Sequence, residues 1–66
     1  MTAREKLHRA VTETNGTIIA ANDEGTSYRI EFPISTRAAS FFDDAITRGW
    51  EAQFQDPARC IVTVQL

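Results

Sequence analysis

From Tyr28 to Ile34 and again from Trp50 to Phe54, apolar residues recur at every second position, while the stretch between these runs repeats with the period of a helix. A strand turns every second side chain to one face and a helix every third or fourth, so the switch fixes a β-α-β segment in the second half of the chain. With a helical stripe and a β-branched run ahead of it, that segment makes an αββαββ domain the economical reading of the whole.

Thr2-Ala3-Arg4-Glu5 fits the Thr-x-x-Glu capping box, in which the two polar side chains satisfy free amides at a helix start. Ala3, Leu7, Ala10, Val11 and Thr14 then share one stripe, and Asn15-Gly16 supplies a left-handed stop, which predicts a helix over about residues 3–14. Thr17 to Ala21 reads as a short strand in which Ile18 and Ile19 cannot both face one core. Asn22-Asp23-Glu24-Gly25 is turn chemistry. Tyr28, Ile30, Phe32 and Ile34 share one face of the second strand, with Arg29 and Glu31 on the other, and Pro33 should end its pairing.

Ser35 or Thr36 is expected to cap a second helix whose buried stripe is Ala38, Phe41, Phe42, Ala45 and Ile46, and which Gly49 ends. Trp50, Ala52 and Phe54 point inward from the third strand, and Asp56-Pro57-Ala58-Arg59 closes a hairpin. Cys60, Val62, Val64 and Leu66 line the inner face of the last strand, with Ile61 outward. Thr14 and Thr47, Gly16 and Gly49, and Asp23 and Asp56 recur at a spacing of 33, whereas the helical stripes align only at 35, a weak signal of a duplicated αββ unit.

Each strand has one apolar face and each helix one apolar stripe. Both helices are therefore expected on the same face of a four-stranded, mostly antiparallel sheet, an α+β fold. The preferred strand order is 3-4-2-1, a permuted ferredoxin-like arrangement that centres the two most apolar strands. The runner-up is 1-2-3-4 with a parallel middle pair.

A chain of 66 residues makes one domain, residues 1–66, and buries only about 60% of the surface its unfolded form exposes, so most apolar side chains must serve the core. The single cysteine excludes an internal disulfide and a multi-thiolate zinc site, and no basic-then-apolar leader opens the sequence. A cytoplasmic protein with no membrane segment is the expectation. Net charge is −2: residues 1–22 contribute +1 and residues 23–66 contribute −3. That balance argues against a general phosphate-backbone binder, whose binding is driven by counterion release.

No residue pattern names a chemistry. His8 lies on the charged side of the first helix without metal-ligand spacing, and the strand phase of Cys60 turns its thiol inward, where it behaves as a small hydrophobe. Asp43 and Asp44 are adjacent in a helix, point about 100° apart and cannot converge on one reacting atom. There is no glycine-rich phosphate loop and no serine-centred elbow. The expectation is a protein without catalytic, cofactor or metal site.

Surfaces remain. The outward set of Arg29, Glu31, Glu51, Gln53, Gln55, Ile61, Thr63 and Gln65 carries no aromatic residue, which disfavours a base-stacking platform. Acidic mimicry of nucleic acid would draw on Asp23, Glu24, Asp43, Asp44, Glu51 and Asp56. Strand 1, short and uncharged, is an expected edge open to pairing with another chain, including a second copy. The leading expectation is a small non-enzymatic protein-binding module, an inhibitor or adaptor of a larger protein or ribonucleoprotein assembly, of the general character of phage-borne anti-CRISPR inhibitors. Arg29, Glu31, Glu51, Gln53, Asp43 and Asp44 are its expected contact residues. The alternative is a nucleic-acid module using Arg4, Lys6, Arg9 and Arg29. A metabolite-binding regulatory domain comes last, because the expected interior offers no polar anchor.

Overall fold

The structure is a computed structural model that describes all residues, Met1–Leu66. Its elements are α1 (Ala3–Glu13), β1 (Thr17–Ala21), β2 (Ser27–Glu31), α2 (Ser35–Thr47), β3 (Glu51–Phe54) and β4 (Ile61–Gln65). The sheet runs β1-β2-β4-β3 with every neighbouring pair antiparallel, which is the preferred order and sets aside the one with a parallel pair.

The capping box at α1 forms as expected: Thr2 Oγ1 accepts from the Glu5 amide at 3.2 Å, and Glu5 Oε1 accepts from the Thr2 amide at 3.3 Å. Leu7, Ala10 and Val11 are its buried stripe, while Ala3 is exposed. Asn15, not Gly16, takes the left-handed stop, at φ 59°. Gly16 is required for another reason, since a Cβ there would lie 2.7 Å from Phe32 Cε1.

In β1 the register shifts between Ile18 and Ala20, so Ile19 is the extra residue of a β-bulge. This resolves the conflict between the two isoleucines: Ile18 packs against the core and Ile19 is 47% exposed.

The second helix corrects the sequence reading in two places. Its N-cap is Ile34, in extended geometry and without a side-chain cap, and Ser35 is the first helical residue. The Ile34 carbonyl closes the first turn by accepting from the Arg37 and Ala38 amides at 3.2 and 3.3 Å. Because β2 ends at Glu31, Ile34 is no longer held to the sheet and is 54% exposed. Ile46 is 49% exposed rather than buried, because Ala38, Phe41 and Ala45 are the residues of α2 that reach the core. Tyr28, Ile30, Phe32, Val62 and Val64 meet them from the sheet, joined by Leu7, Ala10 and Val11.

The two αββ halves are related at a spacing of 34, between the two spacings that the sequence suggested. The ends of α1 and α2 and the starts of both strand pairs all sit 34 positions apart. Left-handed backbone recurs in step, at Asn15 (φ 59°) with Gly49 (φ 87°), and at Gly25 (φ 70°) with Arg59 (φ 59°). Phe32 N donates to Cys60 O and Leu66 N to Thr26 O, each at 2.8 Å, as mates of one pseudo-two-fold. These two bonds also place the hairpin turns at opposite ends of the sheet.

Candidate functional surfaces

Both helices lie on one face of the sheet, and strand alternation assigns the other face to Ser27, Arg29 and Glu31 of β2, Ile61, Thr63 and Gln65 of β4, and Glu51 and Gln53 of β3. The ladder sets these residues in rows. Gln53, Thr63 and Arg29 run side by side across three strands, flanked by a row of Glu51, Gln65 and Ser27 and by the pair Ile61 and Glu31. The outward assignment of this set therefore holds. Arg29, Glu31, Glu51 and Gln53 are exposed, whereas Ile61 and Thr63 are half-buried, and the Thr63 hydroxyl is covered without a hydrogen-bond partner. The only ion pair in the chain joins Arg48 Nε to Asp44 Oδ2 at 3.0 Å, so Arg29, Glu31 and Glu51 face solvent as uncommitted charges.

Asp43 and Asp44 are not part of this face. Both stand on α2, in the helical layer: Asp44 is engaged by Arg48, and Asp43 borders a separate groove toward β3. The six expected contact residues thus form four on the open sheet face and two on its opposite side. The cations of the nucleic-acid alternative are divided as well. Arg4, Lys6 and Arg9 belong to α1, with the Arg4 guanidinium lying over Gly25 in the β1–β2 turn, whereas Arg29 is on the open face. The acidic residues divide likewise, with Asp23 and Glu24 at one end of the sheet and Asp56 at the other, where its Oδ1 accepts from the Cys60 and Ile61 amides at 2.9 Å each.

The His8 ring is set edge-on to Tyr28 at 6.2 Å and 81°, and the Tyr28 hydroxyl donates to Gly25 O at 2.8 Å. Cys60 is half-buried in the β3–β4 turn, just before β4, with Sγ 3.7 Å from Ala58 O. No group of three or more His, Cys, Asp or Glu side chains is gathered in one place. No helix is long and apolar enough to cross a membrane.

The sequence reading missed the groove between α2 and β3, of about 560 Å³, lined by Ser35, Thr36, Ala39, Phe42, Asp43, Phe54 and Arg59. Phe42 and Phe54 stack in its floor at 4.7 Å and 20°, and the Arg59 guanidinium lies 5.5 Å over the Phe54 ring. The signal available was the Ala39, Phe42 and Ile46 set, a second apolar stripe on α2 beside the core stripe. Compared with protein-family models, curated proteins and solved structures, the chain matches none.

Proposed function

We propose that this chain is a small non-enzymatic protein-binding module that works in the cytoplasm as an inhibitor or adaptor of a larger, nucleic-acid-handling assembly, in the manner of a phage-borne anti-CRISPR-like inhibitor. One observation carries the protein-binding reading: the sheet is covered on one face only, and its open face presents Arg29, Glu31, Glu51 and Gln53 in register, with no internal ion pair among them. A mixed-charge surface of this kind gives a protein partner complementary charge and hydrogen bonding over several residues, which supplies specificity and steering. The character of the partner rests on size and surface alone.

The test is affinity capture from the native or infected host with the wild-type chain beside Glu31→Arg and Glu51→Arg. The proposal expects a captured assembly that both variants lose while remaining folded; unchanged capture by both would remove the open face from the account. Binding to generic RNA or DNA that weakens steeply with salt would instead favour the alternative carried by Arg4, Lys6, Arg9 and Arg29. A mass that rises with concentration toward twice 7.4 kDa would make a second copy the occupant.

A further inference from the structure

We propose that the groove between α2 and β3 receives an extended segment of a protein partner, which adds to β3 as a fifth strand, seats apolar side chains on Phe42 and Phe54, and places a carboxylate against Arg59. The proposal rests on the protein-binding reading above and names a second contact that such a partner would make.

The backbone comes first. Gln55 N donates to Ile61 O at 2.8 Å, and the same register continues through Gln53–Thr63 and Glu51–Gln65. In an antiparallel ladder the alternate residues turn their amides and carbonyls away from the neighbour. Ala52 and Phe54 therefore offer donors and acceptors along an outer edge that no strand covers. The other edge, β1, is where the sequence reading expected association, but its bulge at Ile19 breaks the regular spacing that an added strand needs. β3 pairs with β4 without a bulge.

Side chains give the occupant its chemistry. Strand addition takes affinity from main-chain bonds and specificity from pockets that receive alternate side chains. Beside β3 the apolar part of the groove is its floor, where the stacked Phe42 and Phe54 rings lie with Ala39 beside them, while Ser35, Thr36 and Asp43 line it from α2. Arg59 stands at the β3–β4 turn end of the groove and is in no ion pair, so a carboxylate on the incoming strand complements it at that end. Asp43, in the same groove, disfavours a second acid farther along α2.

The repeat provides an internal comparison. At a spacing of 34, His8 and Gly25 occupy the places of Phe42 and Arg59, and past the bulge Ala21, opposite Tyr28 as Phe54 is opposite Val62, takes the place of Phe54. There the histidine ring turns to Tyr28, the Arg4 guanidinium covers the glycine, and the adjoining strand is bulged. The same scaffold thus carries the groove, the free cation and the regular edge together in one half only.

The test titrates the isotope-labelled full chain with a blocked peptide of alternating leucine and lysine carrying one terminal glutamate. A sister peptide with the glutamate at the opposite end covers both strand directions. The expected result is amide shifts centred on Ala52 and Phe54 with movement of the Phe42 ring, from one of the two peptides. Arg59→Glu should weaken that peptide at least tenfold, and exchanging its glutamate for lysine should restore binding to the variant. Ala39→Glu, at an exposed helical position, should weaken it without disturbing the fold. Three results would overturn the proposal: no shift at Ala52 and Phe54 at millimolar peptide, equal binding of the glutamate and lysine peptides to the wild type, or the same resonances responding more strongly to single-stranded RNA or to protein concentration alone. Such failure leaves the open-face reading intact, because Glu31→Arg and Glu51→Arg report on the other side of the sheet.

Discussion

Asn22 and Asp56, 34 positions apart, do the same work with different functional groups. Asn22 Oδ1 accepts from the Thr26 and Ser27 amides at 2.9 and 3.1 Å, and Asp56 Oδ1 accepts from the Cys60 and Ile61 amides at 2.9 Å each. In both turns the amide three residues on returns to the backbone carbonyl of this residue, from Gly25 at 3.2 Å and from Arg59 at 3.0 Å. One side-chain oxygen thereby serves the two amides at the start of each central strand, β2 or β4, and holds each hairpin closed.

Asp56→Ala should destabilise the chain by about 1–3 kcal/mol, because its two bonds serve partly buried amides, and Asn22→Ala by about 0.5–1.5 kcal/mol, because the amides that it serves are exposed. Asp56→Asn and Asn22→Asp keep the accepting oxygen and should cost much less. Urea unfolding checks this, and equal losses for alanine and for the amide–acid exchange would show that the turn does not depend on that oxygen.

Leu7 and Phe41, also 34 apart, are both fully buried, whereas Ile46 on the same helix as Phe41 is 49% exposed. Leu7→Ala should cost about 2–5 kcal/mol and Phe41→Ala about 3–5 kcal/mol. Either is a large share of the roughly 5–15 kcal/mol that holds a small domain together. Ile46→Ala should stay under about 1 kcal/mol. Thermal and urea unfolding of the three variants would report the order, and a large loss at Ile46 would contradict its placement outside the core.

Two glycines should fail for different reasons. Gly16→Ala drives a methyl group to 2.7 Å from Phe32 Cε1, an overpacking cost of about 1–3 kcal/mol. Gly49→Ala meets nothing within 4 Å but must hold φ 87°, at about 1–2 kcal/mol. Gly49→Asn should recover part of that loss, since Asn15 already adopts φ 59° at the equivalent stop. Refolding stability of the Gly49 pair measures it directly, and no difference between alanine and asparagine would remove the backbone argument.

Much of this architecture was legible because it is written in periodicity. The Thr2–Glu5 box, the alternation from Tyr28 to Phe32 and the stripe through Ala38, Phe41 and Ala45 each depend on local spacing, and each element formed. The repeat was blurred because its constraint is on backbone shape and not on residue identity. At a spacing of 34 only Thr2 and Thr36 are the same residue, while Asn15 and Gly49, or Gly25 and Arg59, reach left-handed geometry with different side chains. Ile34 and Ile46 were misplaced because apolarity on a periodic stripe does not reveal where a strand lets go or how far around a helix the core reaches. Among the expected contact residues, strand phase correctly grouped Arg29, Glu31, Glu51 and Gln53 on one face. Asp43 and Asp44 joined that group only through their charge, although the apolar stripe of α2 already assigns that helix to the sheet's apolar face, opposite the outward set.

The account depends most on the open sheet face being the surface that a partner covers. Methyl cross-saturation within the captured complex addresses this, because Ile61 and Thr63 belong to that face and Ala39 and Ile46 to the helical side. The predicted result is strong attenuation at Ile61 and Thr63, with Ala39 affected only where the partner also extends a strand along β3. Attenuation confined to Ala39 and Ile46, with Ile61 and Thr63 untouched, would contradict the account.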